Sequence, residues 1–308
     1  MAEEQRLPAA SAAEAKPTWR QTLERHAPVL LPAAHDGLTA RLIEEAGFVA
    51  YQVGGFAYAG SRFGFPDIDL IHFGEISAGL RDIVVGSSLP VMVDADDGYG
   101  DVKNVTRTVR GYEELGVSAL FMEDQVAPKR CGHMEGKKVV PAEVFAGKIR
   151  AAVAVRRNPD TFLIARTDAR ESHGLDEALR RGQLYLDSGA DGLFIEAPHT
   201  VKELEKVAST FRGVPLIANM LEGGGKTPIL KPAELHELGF AMITYPTSII
   251  FRVAKATQRA LADLLAGRPL PTDDALDFKS YEDALGLPAW RDLENKFTPA
   301  PAPTPRGA

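Results

Sequence analysis

Short, nearly continuous apolar runs recur along the chain from about residue 27. Each is followed by a polar or glycine-containing turn and then by a stretch whose apolar residues return with helical spacing. Runs without alternating polar positions suit strands that are covered on both faces. The pattern predicts eight strands, at Pro28–Ala34, Val49–Gly54, Pro90–Asp94, Ala119–Glu123, Phe162–Arg166, Gly192–Glu196, Pro215–Asn219 and Ala241–Tyr245. Between and after them it predicts helices such as Gly37–Ala46, Val105–Leu115, Pro141–Arg156, Leu175–Ser188, Val201–Ser209, Pro232–Leu238 and Ser248–Ala266. Gly47, Gly116, Gly189 and Gly239 follow four of these, where a left-handed residue ends a helix. Eightfold strand-helix alternation over about 240 residues fits an α/β (β/α)8 TIM-type barrel better than an open sheet.

The expected organisation is an N-terminal segment or helix over residues 1–26, a barrel over 27–270, a helical extension over 271–297 and a Pro- and Ala-rich tail over 298–308. A chain of 308 residues with 45% hydrophobic and 25% charged content buries a sizeable core. Its longest apolar runs are about eight residues, against the roughly 20 that cross a bilayer. No basic stretch with an apolar segment opens the chain, so the expected compartment is the cytoplasm. A net charge of -7 without a basic block points away from nucleic acid or an anionic membrane and toward a small-molecule partner. The single cysteine forms no internal disulfide, and without a second nearby it makes a poor structural zinc site.

Active sites of such barrels form at the carboxyl ends of the strands. There the third strand leads into Asp94-Ala95-Asp96-Asp97, the fourth into Glu123-Asp124 and the fifth into Arg166-Thr167-Asp168. Glu196, Asn219 and Tyr245 end the last three. Five or more carboxylates at one mouth repel one another unless a cation intervenes, and oxygen ligands without clustered His or Cys favour Mg²⁺ or Mn²⁺. Asp94 and Asp96 alternate onto one side and can reach one ion. A capping or turn role is the bland alternative for any single Asp, as a structural ion pair is for Arg166, which beside a metal suits a substrate carboxylate.

The connection Asp124 to Val140 is long and polar, as barrel lids are. Cys131 lies in its middle, beside Lys129, Arg130 and His133, and this positive surrounding predicts a reactive thiol with a lowered pKa. Gly54-Gly55 offers backbone N–H groups to an anion, a weak signal by itself. Gly223-Gly224-Gly225-Lys226 lacks P-loop spacing and reads as a mobile loop.

Glu123-Asp124-Gln125 followed by Lys129-Arg130-Cys131-Gly132-His133 resembles the signature of the isocitrate lyase and phosphoenolpyruvate mutase superfamily, especially its methylisocitrate and 2,3-dimethylmalate lyases. The resemblance runs from about Pro32 to Lys255 and includes Asp36-Gly37-Leu38-Thr39-Ala40, Gly64-Phe65-Pro66-Asp67, Ala165-Arg166-Thr167-Asp168-Ala169 and Tyr245-Pro246. It implies a homotetramer whose barrels exchange their last helix. Asp94 would bind Mg²⁺ directly, with Asp67, Asp96 and Glu123 acting mainly through water. Tyr51, Gly54 and Gly55 would lie against an α-keto acid, while Gly132, Arg166, Glu196 and Asn219 would bind substrate and His133 would order the lid.

The implied reaction is a retro-aldol type cleavage of a 2-hydroxy di- or tricarboxylate, such as 2-methylisocitrate or a 2-alkylmalate. It releases pyruvate or another α-keto acid, and Cys131 protonates the carbanion left on the other fragment. Lys129 and Arg166 join the catalytic set; Tyr51, a carboxylate or bound water is the base. Retention of Cys131 disfavours a phosphonomutase, and Pro246, where oxaloacetate hydrolases carry serine, disfavours that activity. A barrel that only binds a metabolite is the non-enzymatic alternative. Val53 stands where relatives usually have Ser or Thr and is followed, after the glycine pair, by Phe56, so the hold on one substrate carboxylate is expected to differ.

Overall fold

The computed structural model describes residues 16–269, 271 and 273–298. In chain order its elements are α1 (Trp19–His26), β1 (Val29–Pro32), α2 (Gly37–Glu45), β2 (Tyr51–Val53), α3 (Gly55–Phe63), α4 (Phe73–Val84), β3 (Val91–Asp94) and α5 (Val102–Glu114). There follow β4 (Ala119–Glu123), α6 (Ala142–Val155), β5 (Phe162–Thr167), α7 (Ala169–His173), α8 (Leu175–Asp187), β6 (Gly192–Ile195) and α9 (Val201–Thr210). The rest are β7 (Ile217–Asn219), α10 (Pro232–Leu238), β8 (Met242–Tyr245), α11 (Ser248–Leu265), α12 (Phe278–Ala284) and α13 (Leu287–Phe297). All eight expected strands are present, within two residues at each end.

Every strand pair is parallel. One ladder runs β2-β3-β4-β5-β6 and another β1-β8-β7. Single parallel bridges, Ala33 to Gln52 and Leu193 to Leu216, join the two ladders at both seams. The strands therefore follow one another around a ring in chain order, as a (β/α)8 barrel requires.

Alternation along the strands sorts the apolar side chains into two cores. Val29, Leu31, Ala50, Met92, Phe121, Ile164, Phe194, Ile217 and Met242 fill the interior of the ring. Their neighbours, among them Tyr51, Val53, Val93, Leu120, Leu163, Leu193 and Ile243, pack outward under the helices. Helix α1 closes one end, because Trp19 and Leu23 belong to the interior cluster. A capping box between Thr18 and Gln21 starts this helix. Arg20 stacks over Phe162 at 5.0 Å from the ring centre.

Helices α3 and α4 escape the periodicity reading because glycines interrupt their pattern. Tertiary burial of Tyr58, Ile76, Leu80 and Ile83 outweighs that weak propensity. Gly79 is required by the contact between the two helices, since a Cβ there would stand 2.1 Å from the Tyr58 hydroxyl.

The chain divides into two compact units, one ending at Ala254 and one beginning at Lys255. The boundary falls inside α11, which has no buried residue. The second unit contains α12 and α13 and leaves Leu264, Leu265, Phe278, Trp290 and Phe297 exposed. Beyond Thr298 the expected tail lies outside the described residues, as do residues 1–15. No helix among the described residues is long and apolar enough to cross a membrane.

Because Trp19 is fully buried, Trp19→Ala is expected to lower unfolding stability by about 3–5 kcal/mol, the usual loss for an emptied aromatic site. Denaturant unfolding followed by circular dichroism measures this; a loss under about 1 kcal/mol would show that α1 does not anchor the barrel floor.

Candidate active site

One cavity collects the carboxyl ends of the strands. It is lined by Gln52, Gly54, Gly55 and Phe56 after β2, by Asp67, and by Asp94 from β3. Cys131, Gly132 and His133 come from the lid, Arg166, Glu196 and Asn219 from later strands, and Phe121, Phe194, Leu221, Thr244 and Pro246 complete the wall. Strands β3, β5 and β6 thus lead charged groups, and β7 an amide, to one cavity while their apolar residues build the barrel beneath it.

The acidic side is densely packed. Asp94 and Asp96 are buried, as are Asp67 and Glu123. The Lys129 ammonium pairs with Asp67 at 2.5 Å and contacts Asp96. Asp96 and Asp67 outweigh the cost of burying Lys129 and hold its pKa well above the ordinary value. Burial, reinforced by Asp96, pushes Asp94 up to about 7. Burial also pushes Glu123 well up, against the pull of Arg166. Glu123 Oε1 is buried with no hydrogen-bond partner. Lys129 therefore leaves this acidic set incompletely compensated, and all-oxygen donors of this kind suit a hard divalent cation. No three of them are spaced as a closed metal cage among the described residues.

Opposite lies a basic centre. Arg166 donates to Asp168 from Nε (3.0 Å) and Nη2 (3.2 Å) and stands 3.2 Å from Glu123 and 3.5 Å from Glu196. The Phe194 ring lies 5.1 Å beneath it. Burial alone would raise the pKa of Glu196, but Arg166 and His133 outweigh it and hold the carboxyl well below its usual range. His133 Nδ1 accepts the Lys226 N–H at 2.9 Å, which leaves Nε2 to donate to Glu196 Oε1, also at 2.9 Å. Asn219 Nδ2 donates to Glu196 at 3.3 Å, and its Oδ1 accepts from the Thr244 hydroxyl at 3.2 Å.

Charge holds the lid down where apolar anchors are scarce. Lys137 binds Asp168 at 2.7 Å and the Gly132 carbonyl, while the Cys131 N–H donates to the Asp67 carbonyl at 3.1 Å. The glycine-rich loop supplies the Lys226 contacts to His133 and, at 3.0 Å, to Glu171. Two residues just past strands, Asp96 (φ 46°) and Ala197 (φ 55°), take left-handed backbone beside these groups. Such strain costs on the order of 1–3 kcal/mol and concentrates at functional sites.

Several sequence expectations are corrected here. Tyr51 does not face the cavity: strand alternation turns it into the outer core, where burial raises its pKa and its hydroxyl has no partner. It is not placed to act as a base. Val53 shares that outer face; Gln52, the residue between them, lines the cavity. The Cys131 thiol is not acidified by its cationic neighbours, because Lys129 is spent on Asp67 and Asp96; burial, then Asp67, pushes it up to about 11. Asp97 and Asp124 prove to be structural. Asp97 pairs with Lys148, and Asp124 accepts from Thr167, Tyr185 and Arg181. Lys129, Asp96 and Glu123 lie behind the cavity wall, not on it. Gln52, Lys137 and Thr244 were missed; a glutamine inside an apolar strand was the available signal for the first.

A family model described as phosphoenolpyruvate phosphomutase matches residues 20–265. The chain belongs to the phosphoenolpyruvate mutase/isocitrate lyase superfamily. It is 42% identical over 283 residues to 2,3-dimethylmalate lyase of Eubacterium barkeri, covering 90% of this chain and 96% of that protein. It is 43% identical over 229 residues to 2-methylisocitrate lyase of Bacillus subtilis (strain 168), covering 74% of each. Among solved structures, 2,3-dimethylmalate lyase in a trigonal crystal form superposes with a TM-score of 0.85 at 33% identity, covering 94% of this chain and 96% of that one. A phosphonopyruvate hydrolase complexed with oxalate and Mg²⁺ superposes with a TM-score of 0.80 at 30% identity, covering 91% and 98%.

Two outcomes follow from this geometry. With the thiol pushed up to about 11, iodoacetamide alkylation of Cys131 at pH 7.5 is expected to be slower than that of free cysteine and to rise about tenfold per pH unit toward that value. Rapid alkylation at neutral pH, read by mass spectrometry, would restore the acidified thiol. At Gly132 a Cβ would stand 2.3 Å from Arg166 Nη2 and 2.7 Å from Glu196, so Gly132→Ala cannot seat the lid as observed. Turnover is expected to fall about 10²-fold with the melting temperature unchanged, and wild-type turnover in that variant would show that the lid need not close this far.

Proposed function

We propose that this chain is a magnesium-dependent carbon-carbon lyase that cleaves a 2-hydroxy di- or tricarboxylate of the 2-alkylmalate or 2-methylisocitrate kind to pyruvate or another α-keto acid plus a second carboxylate. The observation that carries the reading is the position of the Cys131 thiol. It lies on the wall of a cavity that also presents Asp94, Arg166 and Glu196, in a chain 42% identical to a 2,3-dimethylmalate lyase.

Asp94 would ligate Mg²⁺ directly, and Asp67, Asp96 and Glu123 would reach it through water; Mn²⁺ has the same donor preference. The bound ion supplies charge stabilisation for the α-keto acid's oxygens as the carbon-carbon bond breaks. Arg166 and the backbone at Gly54-Gly55, the uncapped start of α3, bind the substrate's anionic oxygens. Gly132, Glu196 and Asn219 shape the rest of the substrate's seat, and His133 ties lid to barrel through Glu196. Since Tyr51 lies outside the cavity, the proton of the tertiary hydroxyl goes to a carboxylate lining the cavity or to water held there. Cys131, a thiol throughout the neutral range, donates its proton to the carbanionic carbon of the departing fragment. Lys129 acts behind the wall by compensating Asp67 and Asp96.

The exposed Leu264, Leu265, Phe278, Trp290 and Phe297 of the second unit support association of several copies through their terminal helices, as in a helix-exchanged tetramer. Light scattering coupled to size exclusion is expected to give a tetramer, and a monomer would remove that part of the reading.

A panel of 2-hydroxy acids, assayed with lactate dehydrogenase for pyruvate, is expected to yield at least one substrate whose cleavage stops in EDTA and returns with Mg²⁺. Cys131→Ser is expected to keep substrate affinity while turnover falls about 10²- to 10⁴-fold. Full turnover in that variant would take Cys131 out of the mechanism. Oxalate and acetate formed from oxaloacetate, in place of pyruvate from any 2-hydroxy acid, would turn the reading to a hydrolase.

A further inference from the structure

Gln52 is the polar side chain on the cavity wall for which the protein offers the least. It is 3% exposed, it lines the cavity, and its Nε2 is buried without a hydrogen-bond partner. Other donors of the wall are engaged: Arg166 by Asp168, Glu123 and Glu196, Asn219 by Glu196, and His133 by Glu196. A buried amide donor left unpaired is costly, and a strand between two apolar neighbours offers no reason to keep one unless a ligand supplies the acceptor.

The position selects which part of a ligand this is. Gln52 pairs in register with Met92 on β3, two residues before Asp94, and bridges to Ala33 across the β1 seam. Two residues further on, Gly54 leads into α3, whose first N–H, that of Gly55, points at Asp94 Oδ2 at 3.4 Å. Gln52 therefore belongs to the Asp94 side of the cavity, while Arg166 and Asn219 come from β5 and β7 across the barrel.

We infer that Gln52 is a specificity-determining residue whose side-chain amide donates a hydrogen bond to an oxygen of the α-oxo carboxylate portion of the ligand, the portion held on the Asp94 side. The inference rests on the lyase reading for the identity of that portion. A primary amide neither gives up nor takes a proton in the neutral range, so Gln52 positions the ligand and does not act as the base. A donor to one oxygen favours ligands with an acceptor there and disfavours those with a methyl or methylene in its place.

The test uses oxalate with Mg²⁺ as the probe, titrated calorimetrically into the full-length protein, with thermal melting recorded for each variant alone. The wild type is expected to bind, and Gln52→Leu to bind about tenfold or more weakly. Gln52→Glu, which turns a charge toward the ligand, is expected to bind more weakly still. Without oxalate, Gln52→Leu is expected to melt at or above the wild-type temperature, because leucine fills the same space and removes an unpaired donor. A merely structural glutamine would behave in the opposite way, and a lowered melting temperature would overturn the assignment. So would oxalate affinity within twofold of wild type in Gln52→Leu. Should the wild type itself bind no magnesium oxalate, the lyase reading of the cavity falls and the assignment falls with it, whereas equal binding by wild type and Gln52→Leu removes the assignment alone.

Discussion

The arrangement of this barrel mouth depends on concentrating carboxylates where water is scarce. Asp94, Asp96, Glu123, Asp168 and Glu196 are all buried at the ends of neighbouring strands, and Asp67 is buried in the loop after α3. Such a set is tolerable only if cations are built in, and the chain supplies Lys129, Lys137 and Arg166 from the lid and from β5. Because two of the three come from the lid, the same ion pairs that neutralise the site also close it. The contacts that hold the lid in place thus also position Cys131 and compensate the acidic cluster.

That coupling explains the state of the thiol. An activated nucleophilic cysteine would need a cation of its own, but here the Lys129 ammonium is held by Asp67 and Asp96. Cys131 stays protonated because it is half-buried and beside Asp67. A thiol that keeps its proton until a carbanion forms next to it is suited to terminate a cleavage, and unsuited to attack a carbonyl. The division of the cavity follows the same logic, with an acidic, metal-compatible side at β2 and β3 and the guanidinium of Arg166 across from it.

Relatives with 2-methylisocitrate lyase and 2,3-dimethylmalate lyase activity share the barrel, so differences in substrate rest on a few wall positions. Gln52 and Phe56 line the cavity on the β2 side, and Leu221 and Pro246 line it elsewhere. Phe56 packs edge-on against Phe251 at 5.9 Å, which links the wall to the first turn of α11.

Strand and helix order, the barrel, the lid and most of the converging polar residues were legible in the sequence. Apolar runs covered on both faces and glycine stops are local signals, and a parallel eight-unit repeat has few ways to close. Helices α3 and α4 were not legible, because their glycine-rich pattern acquires meaning only when Tyr58 and Gly79 meet. Nor was the direction of the short second strand: a shift of one residue exchanges Tyr51 and Val53 for Gln52, and only pairing with β3 and packing under α2 decide which enters the cavity. The charge around Cys131 was misjudged for a related reason. Sequence neighbours showed three cationic residues beside the thiol, while the folded chain brings Asp67 and Asp96 to Lys129 from distant segments. Local periodicity determines what an element is; which side chains share a dry space, and so which charges remain uncompensated, is decided by contacts between elements far apart in the chain.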